Sequence, residues 1–142
     1  MREATRELLL QVDSATEWEC PTGFDYQTAL REVRAFAEDA AQMLNLNFTL
    51  DDQVQDASFF ADLYEVDLAV GVWFSAFGRM ALAFTENVRA WTSEGVPVEI
   101  VHLLQRHGYG VVQPQDGTDM YDGALKDLRG KTTWIGRLFD YL

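Results

Sequence analysis

The chain has 142 residues, close to the usual size of one domain, and its 48% hydrophobic and 13% aromatic residues with only three prolines read as one globular domain over residues 1–142. A net charge of −12 argues against a nucleic-acid backbone or an anionic membrane as partner, since either needs clustered lysine and arginine, and favours a basic protein instead. One cysteine, Cys20, cannot close an internal disulfide, and the apolar run Leu8-Leu9-Leu10 is too short for a signal-peptide core, so a reducing cytoplasm is the expected compartment.

In chain order, residues 2–13 suit a first helix with Leu8, Leu9 and Val12 on one side. The link through Trp18, Cys20, Pro21 and Gly23 has turn and loop composition. Residues 27–44 carry the clearest helical period, with Leu30, Val33, Ala37, Ala40, Ala41 and Leu44 on one stripe and Arg31, Arg34, Glu38 and Asp39 largely off it. Strands are expected near 47–50, 57–66, 69–77 and 79–85, where aromatic and β-branched residues concentrate, and Gly78 stands where a tight reversal needs a residue free to take positive φ. Pro97 suits the first turn of a helix over 98–107 with Ile100, Val101 and Leu104 inward, Gly108 is placed to stop it, and residues 109–112 form a further strand returning to the sheet edge. Residues 113–131 hold Asp116, Gly117, Asp119, Asp122, Gly123 and Gly130 and read as irregular structure. The end of the chain puts Trp134, Ile135, Leu138, Phe139 and Leu142 on one helical face, a docking helix capped by Thr132 or Thr133.

The strand region is apolar on both sides. One register groups Phe59, Ala61, Leu63, Val70, Val72 and Phe74, and the alternate positions hold Phe60, Tyr64, Trp73 and Phe77. A sheet with two covered faces follows, the second face covered either by the C-terminal helix, through Trp134, Leu138 and Phe139, or by a partner. The same region is acidic: Asp51, Asp52, Asp56, Asp62, Glu65, Asp67 and Glu86 stand against Arg79 alone. The bland reading of that charge is a solvated surface that keeps the protein apart from its neighbours. The sharper reading is a set of aromatic anchors, Tyr64 and Trp73, ringed by Asp62, Glu65 and Asp67 and shaped to hold a basic protein.

No complete catalytic or cofactor motif is present. His102 and His107 are five residues apart within a helical segment, a poor spacing for a metal pair, and neither belongs to a His-Glu-x-x-His pattern. Asp116, Asp119 and Asp122 could gather a hard cation, but their spacing is wrong for an EF-hand, and a solvated acidic loop is the plainer reading. Ser75 lacks the Gly-x-Ser-x-Gly elbow that exposes a nucleophile, Cys20 has no base placed beside it, and Gly108-Tyr109-Gly110 follows a helix rather than a strand. Twenty-three carboxylates make a glycosidase pair impossible to assign by abundance.

The segments Trp73-Phe74-Ser75-Ala76-Phe77-Gly78, Arg106-His107-Gly108-Tyr109 and Tyr121-Asp122-Gly123, with Trp134 and the closing Phe139-Asp140-Tyr141-Leu142, resemble small acidic bacterial proteins of toxin-immunity type. The resemblance covers roughly residues 57–142 and rests on aromatic and glycine landmarks rather than a catalytic signature. It implies a compact α+β protein that neutralises a toxin by binding it, and it carries no active-site residue with it.

These readings combine into one expectation. The fold is α+β: an antiparallel sheet of four to five strands, the helix over 27–44 on one face and a C-terminal docking helix closing part of the other. The function is non-enzymatic binding and occlusion of a basic protein such as a toxin, without cofactor or metal, through Asp62, Tyr64, Glu65, Asp67 and Trp73. The alternatives are a small metal-dependent hydrolase using the Asp116 to Asp122 loop and a homodimeric structural protein.

Overall fold

The computed structural model describes residues 1–18, 20–54, 58–86, 91–92 and 95–140. Asp56, Ala57, Tyr141 and Leu142, which figured in the expectations above, lie outside the described residues. The fold is α+β, with helices α1 (Glu3–Val12), α2 (Tyr26–Leu44) and α3 (Val98–Arg106) and strands β1 (Thr49–Asp51), β2 (Phe59–Glu65), β3 (Val70–Ser75), β4 (Met80–Glu86), β5 (Trp91–Thr92) and β6 (Gly110–Val112). β1 to β5 form an antiparallel meander in sequence order, and β6 adds to β4 in parallel.

Local chemistry sets the helix limits. The Asp25 carboxylate accepts from the Thr28 amide at 3.2 Å and satisfies one of the free donors at the start of α2. Asn45 closes that helix in the left-handed region at φ 54°, and the Leu46 amide bonds back to the Ala40 carbonyl. The buried stripe of α2 is Leu30, Val33, Phe36 and Ala40; Phe36 belongs to it, and Ala41, expected inward, is exposed. α3 follows Pro97 and buries Ile100, Leu103 and Leu104, and Gly108 takes φ 86° just past its end.

Helices α2 and α3 cover the first sheet face, where Ala61, Leu63, Val70, Val72, Phe74, Ala81 and Ala83 meet Phe36, Ile100 and Leu104. Each large side chain fully buried there contributes about 1.5–3 kcal/mol relative to exposure. The register of β2 departs from strict alternation at its start, because a bulge between Phe59 and Ala61 shifts the pairing with β3. Phe60 therefore joins the first face, against Phe24 and Tyr26, and Phe59 joins the second, which reverses the sides expected for these two residues.

The second face is closed by more than one terminal helix. Phe77, Met80, Leu82 and Phe84 pack against Leu9 of α1, Val112 of β6, Tyr121 and Leu125 of the irregular segment, and Trp134, Leu138 and Phe139. The chain end expected as a docking helix is, over its described residues, a short helical turn that becomes a π-helix over Gly136–Asp140. α1 sits close to the sheet because Gly78 and Gly110 leave room for it: a Cβ at Gly78 would come within 2.5 Å of Val12, and one at Gly110 within 2.7 Å of Leu8.

A buried polar network ties this layer together. The Arg137 and Asp13 side chains are both wholly removed from solvent, with Nε and Oδ1 3.3 Å apart. The guanidinium donates to the backbone carbonyls of Ser14, Glu17 and Trp18 and lies over the Phe77 ring at 4.4 Å. Asp13 also accepts from the Tyr121 hydroxyl at 2.5 Å and the Ala124 amide at 2.7 Å. Ser58 and Ser75 donate to the carbonyls of Arg137 and Leu138, so Ser75 serves as a hydrogen-bonding anchor for the terminal turn.

Candidate functional site

The register places three of the five expected site residues on one surface. β2 pairs with β1 through Tyr64 opposite Thr49 and Asp62 opposite Asp51, and with β3 through Asp62 opposite Trp73 and Tyr64 opposite Gly71. Ala61 and Leu63 point into the first core, so Asp62 and Tyr64 between them stand on the second face with Trp73. All three are half-buried, on β2 and β3 of that face.

Aromatic packing gives this surface its shape. Phe59 stacks flat on Trp73 with ring centroids 4.3 Å apart and planes 2° from parallel, and Trp73 meets Phe84 edge-on at 5.4 Å. Gly71 makes the arrangement possible, because a Cβ there would fall 2.3 Å from the Phe84 ring. The inner ring, Phe84, is buried, and the outer two, Phe59 and Trp73, remain half-exposed. Phe59 was expected on the first face and stood outside the expected site residues. With two adjacent phenylalanines either assignment keeps both faces apolar, so hydrophobic alternation holds no signal of the bulge.

The remaining two expected residues lie elsewhere. Glu65 is only 5% exposed and faces the first core, where Oε2 accepts from the Leu68 amide at 2.7 Å and closes the reversal between β2 and β3. Its carboxylate is thus engaged by the hairpin. Asp67 is exposed at the tip of the same reversal. Asp51, opposite Asp62, supplies a carboxylate that the candidate set lacked, on the exposed strand β1. The register thus sets two carboxylates side by side on adjacent strands, Asp51 exposed and Asp62 half-buried. Arg79, the single base of this stretch of sequence, is turned to other work, pairing with Glu32 of α2 and donating to the His107 carbonyl while lying over the Tyr109 ring.

Other clusters read as structural. Asp116 accepts from Arg2, the residue just before α1, Asp122 accepts two hydrogen bonds from Arg6 of α1, and Asp119 lies 3.2 Å from the Met1 amino group. The three carboxylates of that loop are therefore drawn to separate cations, and among the described residues no group of three or more His, Cys, Asp or Glu side chains could hold a metal ion. Arg6 holds the Asp122 carboxyl below its ordinary range through their hydrogen bonds. His107 pairs with Asp39 at 2.8 Å and meets Phe36 edge-on, joining the end of α3 to α2. Two apolar grooves flank Pro97: one of about 210 Å³ lined by Ala83, Val96, Val98, Val101, Val111 and Gln113, the other of about 230 Å³ beside Leu44, Leu46, Leu68 and Glu99. Neither brings an acid and a base together. Among the described residues no helix is long and apolar enough to cross a membrane.

Comparison with protein-family models, with curated proteins and with solved structures gives no match to this chain.

Proposed function

We propose that this chain is a non-enzymatic binding module that captures a basic protein on the outer half of its second sheet face and neutralises it by occlusion, in the manner of a toxin-immunity protein. The observation that carries the reading is the half-exposed stack of Phe59 on Trp73 beside the facing pair Asp51 and Asp62. Flat rings on a rigid sheet supply contact area that needs little ordering on binding, and carboxylates at the rim raise the rate at which a cationic partner arrives. Tyr64 extends the apolar area, and Asp67 at the hairpin tip extends the negative rim. Glu65 serves by fixing the hairpin that presents both.

The two components make separable predictions. Replacing Asp51, Asp62 and Asp67 with asparagine lowers the association rate with a basic partner captured from the source cell by roughly tenfold at low salt and flattens its dependence on ionic strength. Trp73→Ala leaves the association rate near its original value and shortens the lifetime of the complex, since the buried ring acts after encounter. Surface plasmon resonance at several salt concentrations reads both quantities. An association rate that does not respond to removal of the three acids removes the electrostatic half of the proposal.

A further inference from the structure

β1 ends the strand order on one side, and Thr49 and Asp51 on it are exposed. Among the described residues no strand pairs with its outer edge. An open edge is a template for any further strand, including the same edge of a second copy. Here the side chains discriminate. The row that crosses the second face from this edge reads Asp51, Asp62, Trp73 and Leu82, so its outermost members are two carboxylates in direct opposition. A copy of the same edge would add its own Asp51 to this charge, whereas a strand with a cation at the matching position would pair with the exposed Asp51. On the other face, β1 offers Leu50, half-buried against the first core.

We propose that the basic partner docks by β-addition, as an extended segment along the outer edge of β1 with lysine or arginine beside Asp51 and Asp62 and aliphatic residues alternating with them beside Leu50. The proposal rests on the protein-binding reading above and adds its mode: backbone hydrogen bonds supply the attachment, and the period-two alternation of cationic and aliphatic side chains supplies the selection. The shortness of β1 and the exposed Asp51 protect the edge from self-pairing, and the same charge admits a cationic strand.

The test leaves the protein intact and varies the probe, a short blocked peptide of alternating lysine and valine. In a bound strand, the N–H groups of one residue set face β1 and those of the other face solvent, so two N-methylated versions separate β-addition from simple charge attraction. The expected result is salt-sensitive binding of the parent peptide, loss of about tenfold or more in affinity when one set is methylated, and a change within about twofold when the other is. Asp51→Asn, an exposed substitution, weakens the parent by roughly threefold to fivefold. Equal binding of all three peptides overturns β-addition and leaves the acidic and aromatic surface standing. Binding that depends on methylation but ignores Asp51→Asn overturns the charge selection, and with it this proposal. A parent peptide that does not bind at all overturns the strand mode, and the protein-binding reading is then judged by the association-rate experiment alone.

Discussion

Arg137 is the residue on which most of the second layer turns. Its side chain is fully buried between the two ends of the chain, paired with an equally buried Asp13 and bonded to three backbone carbonyls of the segment that follows α1. A buried pair of this kind is weak evidence of net stabilisation, but removing one member leaves the other charged and unpaired. Arg137→Met therefore lowers unfolding stability by about 3–5 kcal/mol in urea denaturation, and adding Asp13→Asn to it recovers part of the loss. Nothing in sequence pattern singled out either residue, because each is an ordinary polar position in its own segment and their meeting depends on the whole tertiary fold. Ala69 gives a smaller and opposite case. It ends the reversal between β2 and β3 at φ 52°, a conformation that costs a residue with a Cβ about 1–2 kcal/mol. Ala69→Gly removes that strain and adds chain entropy to the unfolded state, so the net expectation is a gain of about 0.5 kcal/mol, read as a raised denaturation midpoint.

At the scale of elements, the strong periodicities were legible and the irregular pieces were not. The helical repeat from Leu30 to Ala40 found α2, Pro97 and Gly108 framed α3, and the aromatic and β-branched runs found the strands. The bulge at Phe59 and the π-helical turn at Gly136–Asp140 escaped, since each depends on a local insertion that hydrophobic spacing does not record. The segment between Pro114 and Leu128 read correctly as irregular, but its buried Tyr121 and Leu125 and its ion pairs with α1 came only from tertiary structure. Those ion pairs make α1 the element most sensitive to acid. Asp122 is held below its ordinary pKa by its hydrogen bonds to Arg6, so its contribution is present above the unfolded carboxylate value and is lost as pH falls through the lowered one. Asp25 at the start of α2, held low by Thr28, follows the same sign. Arg6→Gln raises the Asp122 pKa towards its ordinary value, which carboxyl chemical shifts in an acid titration measure directly. The same variant shows faster amide exchange in α1 at neutral pH, with the sheet amides unchanged.

The whole molecule is one sheet sealed on the first face by α2 and α3 and partly on the second by α1, the irregular segment and the chain end, and its dominant charge is negative. That two-sided burial was legible in the strand region because both alternating registers are apolar. The extent of the second seal was not, because it is assembled from segments at both ends of the chain. Burial on both faces sets the alkaline limit of the protein, with Tyr109 in the first core and Tyr121 in the second. Burial pushes the Tyr109 hydroxyl up from 10.0 to about 12, against the opposing effect of nearby Arg79, and burial together with the hydrogen bond to Asp13 raises Tyr121. In each case the folded state keeps a proton that the unfolded chain gives up near pH 10, so unfolding in this window releases protons. The stability these phenols contribute is fully present below pH about 10 and is lost as pH rises through their folded values, about 12 for Tyr109. Absorbance at 295 nm should accordingly show Tyr109 and Tyr121 ionising later than an exposed tyrosine, with thermal stability declining over the same interval. Tyr109→Phe removes one late step and flattens the decline, whereas a titration in which every phenol ionises together near pH 10 with the fold intact would mean that the second core and the α3 cap are open to water.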